Sequence, residues 1–314
     1  MQRVWGLLFG VAMIAAAGLF AVAPLVQGWW LPKNVATYGA GIDLLFYVIL
    51  AVTGFFFVLT EAILVYIMLK FAGSPGRKAT YVHGNHRLEV LWTVVPGVLL
   101  FLLAISQIGV WADVKYQSRM PRPVATTQQL EVTARQWEWR VRYPSVRRIQ
   151  AWDEGRENPE TFGSDPHIDD VHVVNEIHVW LASEEERKNN PDLGKVLVHL
   201  KTRDVLHSFF LPHLRIKQDA VPGKSIRLWF QPTDYNTVRR ERGWEAGINP
   251  HTERPDYDYN WELACAEFCG TRHSLMRGRL FVHKDKKDFL AWLAYADALD
   301  KAAQPTEIAA SAGK

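Results

Sequence analysis

The apolar positions of this chain are concentrated in its first third. Residues 4–26, 42–69 and 88–111 form three nearly continuous apolar stretches. Each is long enough to cross a bilayer as an α-helix, which needs about 20 apolar residues at a rise of about 1.5 Å per residue. The second and third stretches predict a transmembrane helical hairpin within residues 40–115. The first predicts an N-terminal transmembrane helix or signal segment within residues 1–30.

The polar segments around these stretches predict their orientation. The turn between the hairpin helices, residues 70–78, is short and rich in Lys and Arg. The positive-inside rule puts this turn in the cytoplasm and sends everything after Asp113 outside. The run Ala21-Val22-Ala23 has the small residues of a signal cleavage site, but cleavage there would leave Pro24 first. We therefore favour a retained first span.

The pattern changes to a period of two after a Pro-rich linker near residue 121. Four apolar residues alternate with polar ones, which is typical of a half-buried strand: Trp137, Trp139, Val141 and Tyr143. More short apolar runs between turn residues predict further strands, at 173–179, 196–200, 226–230 and 280–282. Together they predict a β-sandwich over residues 121–300.

Two polar stretches interrupt the strands, and a helical pattern follows them. Residues 145–171 and 233–260 are rich in Gly, Pro, Asp and Arg, which predicts surface loops. Loops of this length in a compact domain are usually functional or disordered. Apolar residues at helical spacing within 285–299 predict a final amphipathic helix. Residues 301–314 would then be a flexible tail.

Composition and charge exclude some classes of protein. Of the 314 residues, 48% are apolar and 22% are charged, which fits membrane spans joined to one globular domain. The formal net charge is only +3, and the chain has no basic run with interleaved aromatic residues. Binding to nucleic acid is therefore not expected.

The candidate chemistry lies between residues 261 and 276. Cys265 and Cys269, the only cysteines, are followed by His273 and Met276, and a distant His207 stands at the end of an apolar run. Thiolates, imidazoles and a thioether favour copper, whereas calcium and magnesium prefer oxygen ligands. A one-copper electron-transfer site needs a single thiolate. The second cysteine therefore indicates two sulfurs that bridge a pair of coppers.

Three other interpretations of the cysteines stay open on spacing alone. The two thiols could form a disulfide outside the cytoplasm. They could join the histidines around a structural zinc ion, or act as a redox pair, although that chemistry has no use for the nearby Met276.

Four motifs together resemble cytochrome c oxidase subunit II. They are Leu206-His207-Ser208, the segment 217–223 with the sequence KQDAVPG, the segment 265–270 with the sequence CAEFCG, and Arg135-Gln136-Trp137-Glu138-Trp139. The similarity also includes residues 83–96 and covers most of residues 40–290. The resemblance implies transmembrane helices followed by an all-β, cupredoxin-like Greek-key sandwich with a C-terminal helix. It also implies a binuclear copper (CuA) centre.

The resemblance assigns the ligands of that centre. Cys265 and Cys269 would bridge both coppers, and His207 with Met276 would complete the coordination of one of them. His273 and the backbone carbonyl of Glu267 would complete the other. The Glu267 side chain would help to bind Mg²⁺ shared with subunit I. Asp204 is expected to fix the segment around His207 by a hydrogen bond, or to be a plain turn residue.

The resemblance also implies roles for two residues outside the metal loop. Trp137 matches the tryptophan that receives the electron from cytochrome c, although the period of two would also allow a core tryptophan beside Trp139. Glu89, in Glu-x-x-Trp, matches a glutamate at the mouth of a proton path, although a glutamate in a first helical turn is also favourable beside the helix dipole. The resemblance further implies a protein of a bacterial inner membrane, with its copper domain on the periplasmic side.

The implied partners are subunit I, the other oxidase subunits and a separate c-type cytochrome. A fused cytochrome c would need Cys-x-x-Cys-His, and no cysteines remain to supply it. Cations near the site are expected to weaken the attraction of a basic donor: Arg140, Arg142, Arg239, Arg240 and Arg242. The electrons would pass singly to haem in subunit I, where oxygen is reduced to water and protons are pumped.

Two alternatives belong to other classes. A copper carrier or oxidase-assembly protein could use Cys-x-x-x-Cys and a distant His, but it would need a βαβ pattern around the cysteines, which is absent here. Nitrous oxide reductase has a similar copper domain after a long propeller. This chain has predicted membrane spans in that place.

Overall fold

The structure is a computed structural model that describes residues 2–26, 29–73, 76, 78, 80, 81, 83–241 and 243–311. Within these ranges, the side chains are described from residue 4 to residue 302. The chain divides into two compact units, of which the first comprises residues 1–32 and 41–111 and the second residues 33–40 and 112–314.

The first unit is helical. It is built from α1 (Gln2–Val22), α2 (Gly39–Lys70) and α3 (His86–Lys115), whose last residues belong to the second unit. The described residues contain three helices that are long and apolar enough to cross a membrane, at Val4–Leu25, Gly39–Lys70 and His86–Lys115. Gly6 of α1 lies against Leu69 of α2, and Gly10 lies against Val65, so the two helices run antiparallel.

The second unit is a β-sandwich of two five-stranded sheets. In spatial order, sheet one contains β3 (Val171–Val174), β2 (Glu138–Tyr143), β1 (Gln128–Arg135), β5 (Val196–Thr202) and β8 (Ile226–Phe230). Sheet two contains β4 (Glu176–Trp180), β14 (Arg277–His283), β13 (Glu262–Cys265), β6 (His207–Leu211) and β7 (Ile216–Ala220). Neighbouring strands are antiparallel except β1 with β5 and β4 with β14.

The core of the sandwich lies between the sheets. Its largest buried side chains include Trp139, Trp261, Phe209 and Phe230. The segment 33–40 also contributes, because Val35 is completely buried and its N–H donates to the carbonyl of His213 at 2.9 Å. Together with the apolar helices, this sandwich confirms the predicted fold class.

Two strand predictions were wrong in detail. The predicted strand at 173–179 is broken at Asn175, whose φ of 61° lies in the left-handed region. The chain therefore leaves sheet one after β3 and begins sheet two with β4. The Asn175 side chain accepts a hydrogen bond from the N–H of Trp139 at 2.8 Å, which stabilises the crossing. Trp137 does not lie in β2 but in the two-residue turn that precedes it.

The first polar stretch is not a plain surface loop, so that prediction was wrong. It contains α4 (Val146–Asp153). Ser145 is the N-cap of this helix, and its side chain accepts from the N–H of Arg148. Asp170 is 3% exposed and Arg148 1% exposed, and their side chains form an ion pair. Arg142 of β2 also pairs with Asp170. Local polarity did not reveal that these charges pair with one another inside the protein.

The second polar stretch is also folded. It contains the hairpins β9 (Val238–Arg240) with β10 (Gly243–Glu245) and β11 (Ile248–Asn249) with β12 (Arg254–Pro255). Asn236 is completely buried, and its amide nitrogen donates to the carbonyls of Tyr259 at 3.0 Å and Leu280 at 2.9 Å. The prediction of a surface loop was therefore wrong here as well.

Two helices complete the unit. The short α5 (Glu184–Asn189) has a capping box between Ser183 and Glu186. The final α6 (Lys286–Ser311) packs Phe289, Trp292 and Leu293 into the core and continues past the predicted end at residue 299.

Candidate metal centre

The first part of the candidate site is the start of β6. His207 is completely buried there. Its Nε2 lies 2.8 Å from Oδ1 of Asp204, and its Nδ1 faces the Cys265 Sγ at 3.8 Å. A carboxylate at one ring nitrogen fixes the tautomer and leaves the other nitrogen free to bind a metal. The predicted hydrogen bond between Asp204 and His207 is therefore confirmed.

The second part is the cysteine loop, residues 265–276, which joins β13 to β14. Cys265 ends β13 and pairs with Phe209 of β6, next to His207. The N–H of Cys265 donates to the Met276 carbonyl at 3.1 Å, which closes the loop at its base. Gly270, with a φ of +119°, provides a conformation that L-residues with side chains rarely adopt.

The sequence-predicted donors come together at this point. Cys265 Sγ lies 3.8 Å from Cys269 Sγ and 3.3 Å from the carbonyl oxygen of Glu267. Cys269 Sγ lies 3.5 Å from Nδ1 of His273 and 3.8 Å from Sδ of Met276. Both cysteines are free thiols. The ligand atoms of His207, Cys265 and Cys269 all lie within 4.8 Å of one another.

The two thiols titrate as a coupled pair. Burial opposes ionisation of Cys265, but the His207 ring and the backbone of Glu267 and Ser208 lower the pKa of this thiol to about 6. Burial and the neighbouring Cys265 charge raise the pKa of Cys269 to about 12. Cys265 is therefore the thiol that loses its proton more readily. A bound cation would favour ionisation of both sulfurs, because thiolates rather than thiols bind metals.

The contact between Asp204 and His207 shifts the pKa values of both groups. Burial acts against the charge of Asp204, but the backbone N–H of Gln136 and the His207 ring hold the pKa of this carboxyl below its ordinary value. Burial also acts against protonation of His207, but Cys265 and Asp204 together raise the pKa of the imidazole. Two acidic groups, the Asp204 carboxyl and the Cys265 thiol, therefore face the two nitrogens of the His207 ring.

This donor set fits copper. It joins two thiols and two imidazoles to a thioether, Met276, that is completely buried. Closed structural zinc sites use four ligands from Cys and His and have no role for a thioether. Soft sulfur ligands together with imidazole are typical of copper sites in β-sandwich proteins.

Trp137 lies beside the cysteine loop. A Cβ atom built on Gly270 would be 3.3 Å from Cζ2 and 3.4 Å from Nε1 of the Trp137 ring. The Trp137 side chain is partly buried, whereas Trp139 is completely buried and lies 6.3 Å from the His207 ring, centroid to centroid. The two tryptophans therefore occupy different environments, despite their alternation in the sequence.

The structure places Glu89 and the Glu267 side chain at exposed positions. Glu89 lies in the first turn of α3, with Oε2 3.8 Å from Nδ1 of His86. The Glu267 side chain, in the cysteine loop, is exposed.

The arginines expected around the site are not all there. Arg142 is 6% exposed and pairs with Asp170 and Glu131, so it does not contribute to the outer surface. The hairpin that carries Arg239 and Arg240 contacts α6, because Trp244 donates to Asp288 at 3.1 Å. The Trp244 ring also lies 6.2 Å from His283 at the far end of β14, about 20 Å from the cysteine loop. Arg242 lies outside the described residues.

Gln136 is a site residue that its place in the sequence did not predict. Its side-chain nitrogen donates to the carbonyl oxygen of Cys269 at 2.8 Å, and its backbone N–H donates to Oδ2 of Asp204 at 2.7 Å. The only signal in the sequence was its position before Trp137, which does not reveal contacts with residues 68 and 133 positions away.

Fold and site together define a class: a membrane-anchored β-sandwich whose loop of soft ligands suits copper electron transfer. Two family models match the chain, the transmembrane domain of cytochrome c oxidase subunit II at residues 27–110 and its periplasmic domain at residues 129–238. Together they cover more than half of the chain. The protein belongs to the cytochrome c oxidase subunit II family. The second match includes His207 and ends before the cysteine loop.

Two individual relatives and one solved structure are similar to this chain. The alternative cytochrome c oxidase subunit 2 of Bradyrhizobium diazoefficiens is 28% identical over 278 residues, which cover 84% of this chain and 83% of the relative. The cytochrome c oxidase subunit 2 of Cereibacter sphaeroides is 26% identical over 257 residues, covering 77% and 74%. The crystal structure of the periplasmic domain of subunit II of cytochrome oxidase from Bradyrhizobium japonicum is 18% identical. It covers 55% of this chain and 95% of that chain, with a TM-score of 0.35.

The family models and the sequence relatives confirm the predicted family and enzyme class. The chain is subunit II of a cytochrome c oxidase, an oxidoreductase complex, and membership of this family implies copper binding. It is a membrane protein with a periplasmic domain.

Proposed function

We propose that the cysteine loop and His207 hold a pair of copper ions that passes single electrons from a c-type cytochrome to haem in subunit I. The Sγ atoms of Cys265 and Cys269 would bridge both metals, His207 and Met276 would bind one, and His273 with the Glu267 carbonyl the other. The observation that carries this proposal is the convergence of these donors, with the two Sγ atoms 3.8 Å apart. The bound pair would supply a site that gains and loses one electron shared between two metals.

The protein contributes fixed ligand positions. Cys265 is held by the pairing of β13 with β6, and Met276 by its burial and by the hydrogen bond from the N–H of Cys265 to its carbonyl. Asp204 keeps the His207 ring in one tautomer through the 2.8 Å contact at Nε2. A centre whose ligands move little between oxidation states exchanges electrons with little rearrangement.

Trp137 is the residue through which the electron would arrive. Its ring is partly exposed and contacts the cysteine loop at Gly270, next to the ligand Cys269. The partial exposure of the ring and its position beside the loop support the role of electron acceptor that the resemblance implies. A tryptophan in the core would fit that role less well.

The donor would be a separate c-type cytochrome that is weakly steered by charge. Near Trp137, Glu138 accepts from both Arg135 at 2.6 Å and Arg140 at 2.7 Å, so these three side chains together carry one positive charge. Beside the cysteine loop, Arg277 pairs with Glu262 at 2.6 Å. These side chains provide no excess negative charge, and without it a surface gives little long-range attraction to a basic partner.

The Glu267 side chain would help to bind Mg²⁺ at the boundary with subunit I. This side chain is exposed and belongs to the cysteine loop. Magnesium prefers a few carboxylate oxygens and retains several waters, which suits an exposed carboxylate.

Glu89 would accept protons at the mouth of a path into subunit I. Its exposed position in the first turn of α3 is compatible with this role. The complex would lie in a bacterial inner membrane, with residues 121–300 as the copper domain on the periplasmic side. Residues 40–115 would form the hairpin, and residues 1–30 would form an additional span.

Stopped-flow reduction of the assembled oxidase tests the electron route. Trp137→Phe should lower the rate of electron transfer from the cytochrome and leave the copper absorption unchanged. Trp152→Phe is the matched control, because Trp152 is buried in α4 against Phe162, away from the cysteine loop. An unchanged rate in Trp137→Phe would exclude this tryptophan as the electron acceptor.

A further inference from the structure

The turn between β1 and β2 is tied to both parts of the metal site by one residue. The backbone N–H of Gln136 donates to Oδ2 of Asp204 at 2.7 Å, and the other oxygen of Asp204 contacts His207 at 2.8 Å. The side-chain amide of Gln136 donates to the carbonyl oxygen of Cys269 at 2.8 Å. Gln136 therefore connects the turn to the His207 part and to the cysteine loop.

The neighbouring Trp137 ring is not held by a comparable hydrogen bond among the described residues. Its Nε1 is buried and has no hydrogen-bond partner among the described residues. A buried donor without a partner is unusual, because most buried polar groups are hydrogen-bonded. The ring is therefore positioned by packing against Gly270 and by the backbone of the turn that carries it.

The space at Gly270 leaves little tolerance for movement. A Cβ atom placed there would lie 3.0 Å from Nε2 of Gln136 and 3.3 Å from Cζ2 of Trp137. The amide of Gln136 and the indole of Trp137 thus approach the same point of the cysteine loop from one side. A shift of the amide would leave the indole free to move away from the loop.

We propose that Gln136 is a positioning residue for electron transfer, because its two hydrogen bonds hold the Trp137 ring against the cysteine loop. The inference rests on the proposed role of Trp137 as electron acceptor. A side chain of similar length without an N–H donor would keep the backbone bond to Asp204 but lose the hydrogen bond to the Cys269 carbonyl.

Gln136→Met in the assembled oxidase tests this proposal, since methionine is similar in length but donates no hydrogen bond. Gln129→Met is the matched control. Gln129 lies near the other end of β1, about 20 Å away, and its amide also donates to a backbone carbonyl, that of Pro159, at 2.8 Å. Gln136→Lys keeps an N–H donor and serves as the rescue variant.

Four readouts are expected to separate positioning from a structural role: the saturated rate, the KM, the copper absorption and a fluorine resonance. Gln136→Met should lower the electron-transfer rate at saturating cytochrome severalfold, with the KM for the cytochrome and the copper absorption unchanged. Gln129→Met should leave the rate unchanged, and Gln136→Lys should restore much of it. In the metal-free chain labelled with 5-fluorotryptophan, the ¹⁹F resonance that Trp137→Phe removes should shift in Gln136→Met and stay in place in Gln129→Met.

A double variant completes the test. If Gln136 acts through Trp137, the combination of Gln136→Met with Trp137→Phe should be no slower than Trp137→Phe alone. Additive losses, a raised KM without a change in the saturated rate, or loss of the copper absorption in Gln136→Met would overturn the proposal. No effect of Trp137→Phe by itself would instead contradict the proposed function, and the fluorine resonance would still report whether Gln136 positions the ring.

Discussion

Asp170→Asn is expected to destabilise the sandwich strongly. The Asp170 side chain has no exposed surface and lies between the buried guanidinium groups of Arg142 and Arg148, whose side chains are 7% and 1% exposed. It also accepts from the N–H of His167 at 3.0 Å. The amide would keep the shape but remove the negative charge shared by the two arginines. Each arginine would retain only one carboxylate, Glu131 at 3.0 Å or Glu157 at 3.6 Å.

The size of the effect follows from this geometry. Removing one partner from a buried ion pair costs about 3–5 kcal/mol, because the remaining charge is left in a low-dielectric environment. For a unit of this size, 1 kcal/mol lowers Tm by about 2–4 °C, so the expected loss is about 6–20 °C.

Thermal unfolding of the solubilised full chain, followed by circular dichroism, measures this loss. Asp169→Asn is the matched control one residue away. Asp169 is 25% exposed and pairs with Arg147, which is 60% exposed. An exposed ion pair contributes about 0–1 kcal/mol, so Tm should fall by only a few degrees. Equal and small losses in the two variants would refute the idea that residues 145–171 form a structural part of the sandwich.

Three further variants or conditions test other parts of the account. Met276→Leu should keep both coppers and change the reduction potential, because an axial thioether binds weakly; loss of a metal in elemental analysis would contradict this. Glu89→Gln should slow oxygen consumption by the assembled enzyme without a change in the copper absorption. Unchanged turnover across a range of pH would contradict the proton-path role and leave Glu89 as a glutamate that only stabilises the first turn of its helix. Reduction by a basic mitochondrial-type cytochrome c should be slow and should not fall steeply as ionic strength rises, because charges are screened over about 10 Å at 0.1 M salt and the paired side chains near Trp137 carry no excess negative charge; fast reduction that falls steeply with added salt in stopped flow would contradict weak steering.

The sequence predicted those features that depend on local pattern. The apolar stretches predicted the three long helices, and the spacing of Cys265, Cys269, His273 and Met276 predicted a compact set of soft ligands, which the structure brings together. The contact of Asp204 with His207 was also predicted, because the two residues are only three positions apart.

Features that depend on distant contacts could not be predicted in the same way. The alternation of apolar and polar residues continues through the turn at Trp137, so it gave no sign that β2 begins at Glu138. The charges of Arg148 and Asp170 looked like those of a solvated loop, because burial of an ion pair depends on partners 22 positions apart. The position of Arg239 and Arg240 could not be predicted for a similar reason. They are near the cysteine loop in sequence but not in space, since their hairpin contacts α6.

The segment 33–40 limits how the copper domain can be studied in isolation. Val35 and Ala36 are buried in the core of the sandwich, and the N–H of Thr233 donates to the Val35 carbonyl at 2.9 Å. A fragment beginning at residue 121 would lack these contacts. The solubilised full chain is therefore the better material for metal analysis.

The copper content and absorption spectrum of the solubilised full chain, loaded under reducing conditions and then partly oxidised, test the central claim most directly. Two coppers per chain and the purple, mixed-valence spectrum of a thiolate-bridged pair are expected. Cys265→Ser and Cys269→Ser should each abolish that spectrum, because the proposed centre needs both sulfurs as bridging ligands. One metal per chain, or a disulfide between Cys265 and Cys269 in the copper-loaded protein, would contradict the account.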